Sequence, residues 1–177
     1  NTLVGLDLRD RIRIGAAGKI VSAFDIARTL AMGADWCNAA RGFMFALGCI
    51  QAQSCHTSRC PTGIATQDPS RWRKLDVPDK AMRVHQFHRN TLKALRELLC
   101  ASGLEHPSEL GPEHILRRVS RIEVRSLGAL YRFLEPGELL TGGSTAHAVF
   151  RDYWHEARSD VFAPPQRAKT MRGSKSY

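Results

Sequence analysis

The chain has 177 residues, of which 43% are hydrophobic and 24% charged, the composition of an ordinary globular domain with a real core. No run of 18 apolar residues exists, which excludes a membrane-spanning helix. The net charge of +9 does not single out nucleic acid, because a net excess of positive charge sits in the polar end (Arg158, Arg167, Lys169, Arg172 and Lys175 against Asp160) and the rest is scattered without an aromatic-interleaved basic face.

The chain starts at Asn1, and "NTLVGLDLRDRIRIG" has the pattern of neither a signal peptide nor a transit peptide. It reads as the middle of a fold, so a fragment of a longer protein is expected. Residues 1–10 read as the end of a helix with Leu3, Leu6 and Val4 on its apolar side. Residues 11–14 alternate and carry two isoleucines, which predicts a short strand entering the Gly/Ala-rich loop "GAAGK". Ser22, with Asp25 three residues on, is close to a capping box. Phe24, Ile26, Ala27, Leu30 and Ala31 then recur at helical spacing up to Gly33. Residues 36–40 are small and apolar, fit for a buried strand, and the loop "AARG" leads into the short helix "FMFALG". Residues 11–48 thus read as β/α units with parallel strands, which need further strands to cover them.

Pro78 is placed like a first helical residue, and a helix is predicted to Ser102 with Met82, Phe87, Leu92, Leu95, Leu98 and Leu99 as its apolar stripe. A further short helix is expected over 112–118 and a helix or turn series over 126–140. "TGGST" at 141–145 reads as a joint. A last helix is expected over 146–157, with Val149, Phe150, Tyr153 and Trp154 facing inward. Residues 161–177 read as a basic disordered tail.

Two features carry chemistry. The loops "GAAGK" (15–19) and "AARG" (39–42) each follow a strand and precede a helix. Small residues let backbone N–H groups approach an anion, the helix dipole adds to the attraction, and Lys19 and Arg41 add charge; together they predict a shared phosphate site. The second feature is "CIQAQSCHTSRCPTGIATQ", with three of the five cysteines, Cys49, Cys55 and Cys60, at C-x5-C-x4-C spacing. Zinc sites favour close pairs such as C-x2-C, whereas wider loops suit an iron–sulfur core. Three thiolates suit three iron corners; a four-iron cluster would need a fourth ligand, for which His56 is nearest. An odd cysteine count without a secretory signal favours a reducing, cytoplasmic setting. Cys37 and Cys100 read as core thiols, and His85 and His88 as surface or packing residues.

The cysteine stretch, with its Cys60-Pro61-Thr62-Gly63-Ile64-Ala65-Thr66-Gln67 continuation, resembles the FMN-binding synthase domain of the glutamate synthase large subunit. "SAFDIARTLAMGADWCNAARGFMFALGC" resembles the seventh and eighth β/α units of that family's barrel. The similarity is greatest to shorter FMN-binding members without a fused glutaminase domain. The resemblance implies an α/β fold. Residues 1–48 would be the last two β/α units of a TIM-type barrel, 49–68 an iron–sulfur loop, and 69–160 a helical C-terminal extension. It implies FMN held through Gly18, Lys19, Ala40, Arg41 and Gly42, and a 3Fe-4S cluster held by Cys49, Cys55 and Cys60. The implied reaction forms L-glutamate from 2-oxoglutarate and ammonia (or glutamine) through 2-iminoglutarate. Electrons would come from ferredoxin or an NAD(P)H-oxidising subunit, and neither nucleic acid nor a membrane is a partner. Where the family often has two adjacent glycines, the second here is Lys19. No catalytic residue is expected within these 177 residues, since the strands that hold the flavin ring and keto acid would lie upstream. Two other readings compete: an iron–sulfur electron-transfer or assembly module without a substrate site, and a metal-stabilised domain whose basic tail contacts nucleic acid.

Overall fold

A computed structural model describes residues 1–141 and 145–161. The chain divides into two compact units, one of residues 12–131 and one that joins residues 1–11 to the segment from 132 onward. The helix α1 (Thr2–Gly5) opens the second of these units. It is tied to the chain beyond Arg132 by backbone bonds from Gly137 N–H to Val4 O (3.0 Å) and from Leu139 N–H to Gly5 O (2.9 Å). Gly5 is buried there, and a Cβ on it would meet Leu134 and Leu139 at 2.7 Å.

Residues 12–131 begin with β1 (Gly15–Ala17), α2 (Ala23–Ala31), β2 (Trp36–Asn38) and α3 (Arg41–Leu47). β1 and β2 pair in parallel, with Gly15 opposite Trp36 and Ala17 opposite Asn38, so α2 is the crossover helix. The strand does not occupy residues 11–14 as the alternation predicts. The Ile14 N–H is taken by the Asp35 carboxylate (2.6 Å) rather than by a neighbouring strand, and the ladder starts one residue later. Residues 9–11 form a 3-10 turn, and Ile12 is exposed.

α2 is capped as its sequence predicts. Ser22 Oγ accepts from Asp25 N–H (3.2 Å) while the Asp25 carboxylate accepts from Ser22 N–H (2.9 Å), and the helix stops before Gly33 at φ +102°. Its small face packs on the long helix. After the short α4 (Pro69–Trp72), α5 (Val77–Ala101) starts with Pro78 in its first turn and Asp76 as cap. The core gathers Ala23, Ala27 and Ala31 of α2, Leu95 and Leu99 of α5, and Leu110, Ile115 and Leu127. Alanines at four-residue spacing let two helices approach closely. The rest of the predicted α5 stripe is less covered: Met82 is 57% and Leu92 48% exposed. Cys100, expected in the core, is exposed, because it falls beside Leu99 on the turn facing away from α2.

No helix covers 112–118. A 3-10 turn over Pro112–His114 leads into β3 (Leu116–Arg118), which pairs antiparallel with β4 (Val124–Ser126), and α6 (Leu127–Leu130) follows. Returning to the other unit, α7 (Ala148–Tyr153) continues as a 3-10 turn through Glu156. Phe150 and Trp154 are half-buried with their rings 6.0 Å apart, whereas Val149 and Tyr153 are exposed against expectation. Gly142, Gly143 and Ser144 of the predicted joint, and residues 162–177 of the predicted tail, lie outside the described residues. No helix among the described residues is long and apolar enough to cross a membrane.

Candidate functional site

The parallel register puts the C-terminal ends of β1 and β2 side by side, so the loops that follow them lie at the same end of the pair. Gly18 has φ +116° and Lys19 φ +54°, two left-handed residues in succession. Gly18 has open space where a Cβ would be, so its requirement is conformational rather than one of room. The left-handed backbone at Lys19 is the one that a second glycine would adopt without strain. Lys19 and Arg41 are both exposed cations at this end.

The two helix starts differ. At α2, the Asp25 carboxylate accepts from Val21 N–H (3.2 Å), Ser22 N–H and Ser22 Oγ (2.8 Å). The Ser22 N–H and hydroxyl, in that order, hold its carboxyl below the usual range. That end already has its anion. At α3, Ala40 is the cap residue and offers no side-chain acceptor. The N–H groups at the start of α3 thus lack the side-chain acceptor that those at the start of α2 have, which is the condition under which a helix start suits an anion. Gly42 does a second job. It is buried, and a Cβ would meet the Phe87 ring at 2.8 Å and Val21 O at 3.4 Å, so its small size lets α3 start against the preceding loop and α5.

The cysteine loop begins where α3 ends. Gly48 turns the chain at φ +105°, and the Cys49 N–H bonds to Met44 O (2.9 Å), which leaves Cys49 half-buried. Cys55 opens a 3-10 turn and is exposed; Cys60 is buried. Gln51, Gln53 and Ser58 are left-handed without being glycine, an unusual density for one loop.

Cys60 sits in a cradle of donors. The Thr62 hydroxyl (3.4 Å from Sγ) is the strongest influence, followed by the Ala65 N–H; burial opposes them, and the N–H groups of Thr62 and Ile64 add to them. Together they bring the thiol down to about 7. That is the environment of a sulfur that carries negative charge. Gly63 makes the turn at φ +80° and packs tightly: a Cβ there would lie 2.6 Å from Arg71 O and 3.2 Å from Trp72 Cα. Arg71 of α4 reaches back to Arg59 O (3.2 Å) and Cys60 O (3.4 Å) and pairs with Asp68 (3.2 Å). Ser58 and Thr66 close the loop base, with Thr66 Oγ1 donating to Ser58 O and Gln67 N–H to Ser58 Oγ (2.9 Å). The cysteine spacing points to the loop but not to Thr62 or Arg71. The one signal for the latter is Asp68-Pro69, a helix start that fixes Arg71 behind the loop.

Among the described residues no group of three or more His, Cys, Asp or Glu side chains is placed to hold a single metal ion. A cluster is wider than one ion, and donor chemistry is the more telling test of fit. On that test Cys60 fits a cluster iron, since N–H and O–H groups converge on its sulfur. Cys37, on β2, is half-buried and stands outside the core cluster that was expected to hold it; burial pushes its thiol up, which makes it a poor ligand. His85 and His88 are exposed on α5, with the His88 ring 5.9 Å from that of Phe43.

Residues 1–105 match the family described as a conserved region in glutamate synthase. Over 111 residues the chain is 41% identical to a glutamate synthase large subunit-like protein of Bacillus subtilis (strain 168), covering 63% of this chain and 21% of that protein. It is 35% identical over 150 residues to the NADH glutamate synthase of Schizosaccharomyces pombe, covering 84% of this chain and 7% of that protein. Against the archaeal NADPH glutamate synthase of Methanocaldococcus jannaschii it is 34% identical over 128 residues, or 72% of this chain and 24% of that protein. The chain thus spans less than a quarter of the length of each of these relatives.

Proposed function

The chain belongs to the glutamate synthase family, and from that premise we propose that it is part of an FMN- and iron–sulfur-dependent oxidoreductase forming L-glutamate from 2-oxoglutarate and ammonia through 2-iminoglutarate. In this reading β1, α2, β2 and α3 are the last two β/α units of a TIM-type barrel. The parallel pairing and the crossover by α2 support it. When bound, the cluster supplies single electrons and the flavin supplies hydride to the imine carbon.

The chain's own residues bind and position. The N–H groups of Gly18, Lys19, Ala40, Arg41 and Gly42 hold the FMN phosphate, and the Lys19 and Arg41 side chains offset its charge. Cys49, Cys55 and Cys60 hold the 3Fe-4S cluster, with Arg71 and Gly63 fixing the loop around Cys60. The residues that orient the flavin ring and the keto acid belong to the other β/α units, so residues 1–177 alone do not turn over. The electron donor is ferredoxin or an NAD(P)H-oxidising subunit; relatives are named for ferredoxin, NADH and NADPH. Five free thiols suit a reducing cytoplasm.

The observation that carries the reading is the donor cradle around Cys60, on a loop whose spacing suits a cluster. In the complete gene product, replacing Cys49, Cys55 or Cys60 with Ser removes most of the iron and the visible absorbance. Cys37→Ser and Cys100→Ser leave the iron near normal. Full iron in all three loop variants would overturn the assignment.

A further inference from the structure

The β3–β4 hairpin lies beyond the residues that match the family and takes no part in the site above. Its base is fixed. The Leu127 N–H donates to Ile115 O (2.9 Å), the Ser126 hydroxyl donates to Glu113 (2.7 Å), and Ile115 and Leu127 belong to the core. Past that base the hairpin carries Arg117, Arg118, Arg121 and Arg125 against a single carboxylate, Glu123, which pairs with Arg125. The register places Arg117 directly opposite Arg125. Like charges opposite each other on one face of a hairpin destabilise it, so the free protein carries a local electrostatic cost. Between the arginines stand exposed apolar side chains: Leu116 is 64%, Val124 49% and Ile122, at the turn, 98% exposed. The sheet has two strands, so each presents an outer edge unpaired within the sheet.

We propose that this hairpin docks an extended, acidic segment of a partner protein, which adds as a further strand along one edge. An added strand meets the unpaired backbone groups, alternate side chains of the segment reach the arginines, and the intervening ones cover Leu116 and Val124. An acidic partner also relieves the Arg117–Arg125 repulsion. Nucleic acid fits less well. No aromatic side chain stands on the hairpin to stack a base, and a polyanion gains nothing from exposed Leu, Ile and Val.

The test uses the complete gene product and a short labelled peptide of alternating Glu and Val, with single-stranded RNA as the competing probe. The expected result is saturable peptide binding that weakens as salt rises. Arg117→Thr weakens it by about threefold and the Arg117→Thr/Arg125→Thr double variant by roughly tenfold, the scale of exposed charge pairs. Arg117→Lys retains most of it. The thermal midpoint of Arg117→Thr stays level or rises, because a like-charge pair has been removed. Four results would overturn the proposal: absence of saturable binding, unchanged affinity in the double variant, tighter binding of the RNA than of the peptide, or a thermal midpoint that falls together with affinity.

Discussion

Gly63 shows how much of the cysteine loop depends on one position. Its backbone is left-handed at φ +80°, and the space beside it is filled by the Arg71 carbonyl and Trp72 Cα of α4. Alanine there meets two penalties. The left-handed conformation costs about 1–2 kcal/mol for a residue with a Cβ. The contact at 2.6 Å falls on backbone, which cannot rotate away, so α4 must move. Because Arg71 holds the Cys60 carbonyl and the N–H groups of 62, 64 and 65 form the cradle, that movement opens the pocket proposed to hold the cluster. Gly63→Ala should therefore lose both thermal stability and iron. Gly18→Ala meets open space and carries only the conformational penalty, so its iron should stay near normal. Equal iron in both variants would show that the contact with α4 does not support the pocket. The cysteines were legible because three thiols crowded into one loop are rare and their spacing is local, and Gly63 because it closely follows the last of them. Thr62 was not, because its role rests on a loop conformation that brings its hydroxyl and the N–H groups of 62, 64 and 65 to one sulfur.

At the scale of elements, the capping box on α2 is a local signal that the structure reproduces. Ser22 and Asp25 exchange hydrogen bonds at 3.2 and 2.9 Å. Ser22→Ala removes the cap and should cost about 1 kcal/mol. The cost has a pH dependence of defined sign. Asp25 has a folded-state pKa below its ordinary value, owing first to the Ser22 N–H and then to the Ser22 hydroxyl. Its contribution is complete above the unfolded value and is lost as pH falls through the folded one. The stability gap between wild type and Ser22→Ala in the complete gene product should therefore narrow below about pH 4, the ordinary carboxylate range. A gap that widens in acid would contradict the assigned bonds. The elements misread from sequence share a physical cause. Residues 11–14 alternate like a strand, but Asp35 captures the Ile14 N–H. Residues 116–118 lack helical spacing, and their pairing with 124–126 is set by the turn between them, where Ser120 Oγ accepts from the N–H groups of Ile122 (3.3 Å) and Glu123 (3.1 Å). In both places a side chain chose among backbone partners that residue type alone leaves open.

At the scale of the whole molecule, the balance of covered and uncovered apolar surface decides whether residues 1–177 can stand alone. The core of residues 12–131 is built of three alanines, four leucines and an isoleucine, and no large side chain among the described residues is fully buried. Against this small core, Phe24, Trp36, Ile50 and Met82 are each about half exposed or more. Trp36 lies across Gly15 on the outward face of the β1–β2 pair, which has no second layer over it among the described residues. A parallel pair is ordinarily covered on both faces, and its unpaired outer edges invite association. Each exposed large side chain forgoes roughly 1–2 kcal/mol of the stabilisation that full burial would bring, and net stabilities are only about 5–15 kcal/mol, so a few such positions consume the margin. Residues 1–177 expressed alone should therefore aggregate or form a molten state and bind no FMN tightly. The measurement is thermal unfolding followed by near-UV dichroism, which tests for fixed side-chain packing and cooperativity together. A monomer with a sharp transition and retained near-UV signal would mean that the β1–β2 pair needs no further strands. The TIM-barrel reading would then yield to a self-sufficient iron–sulfur module.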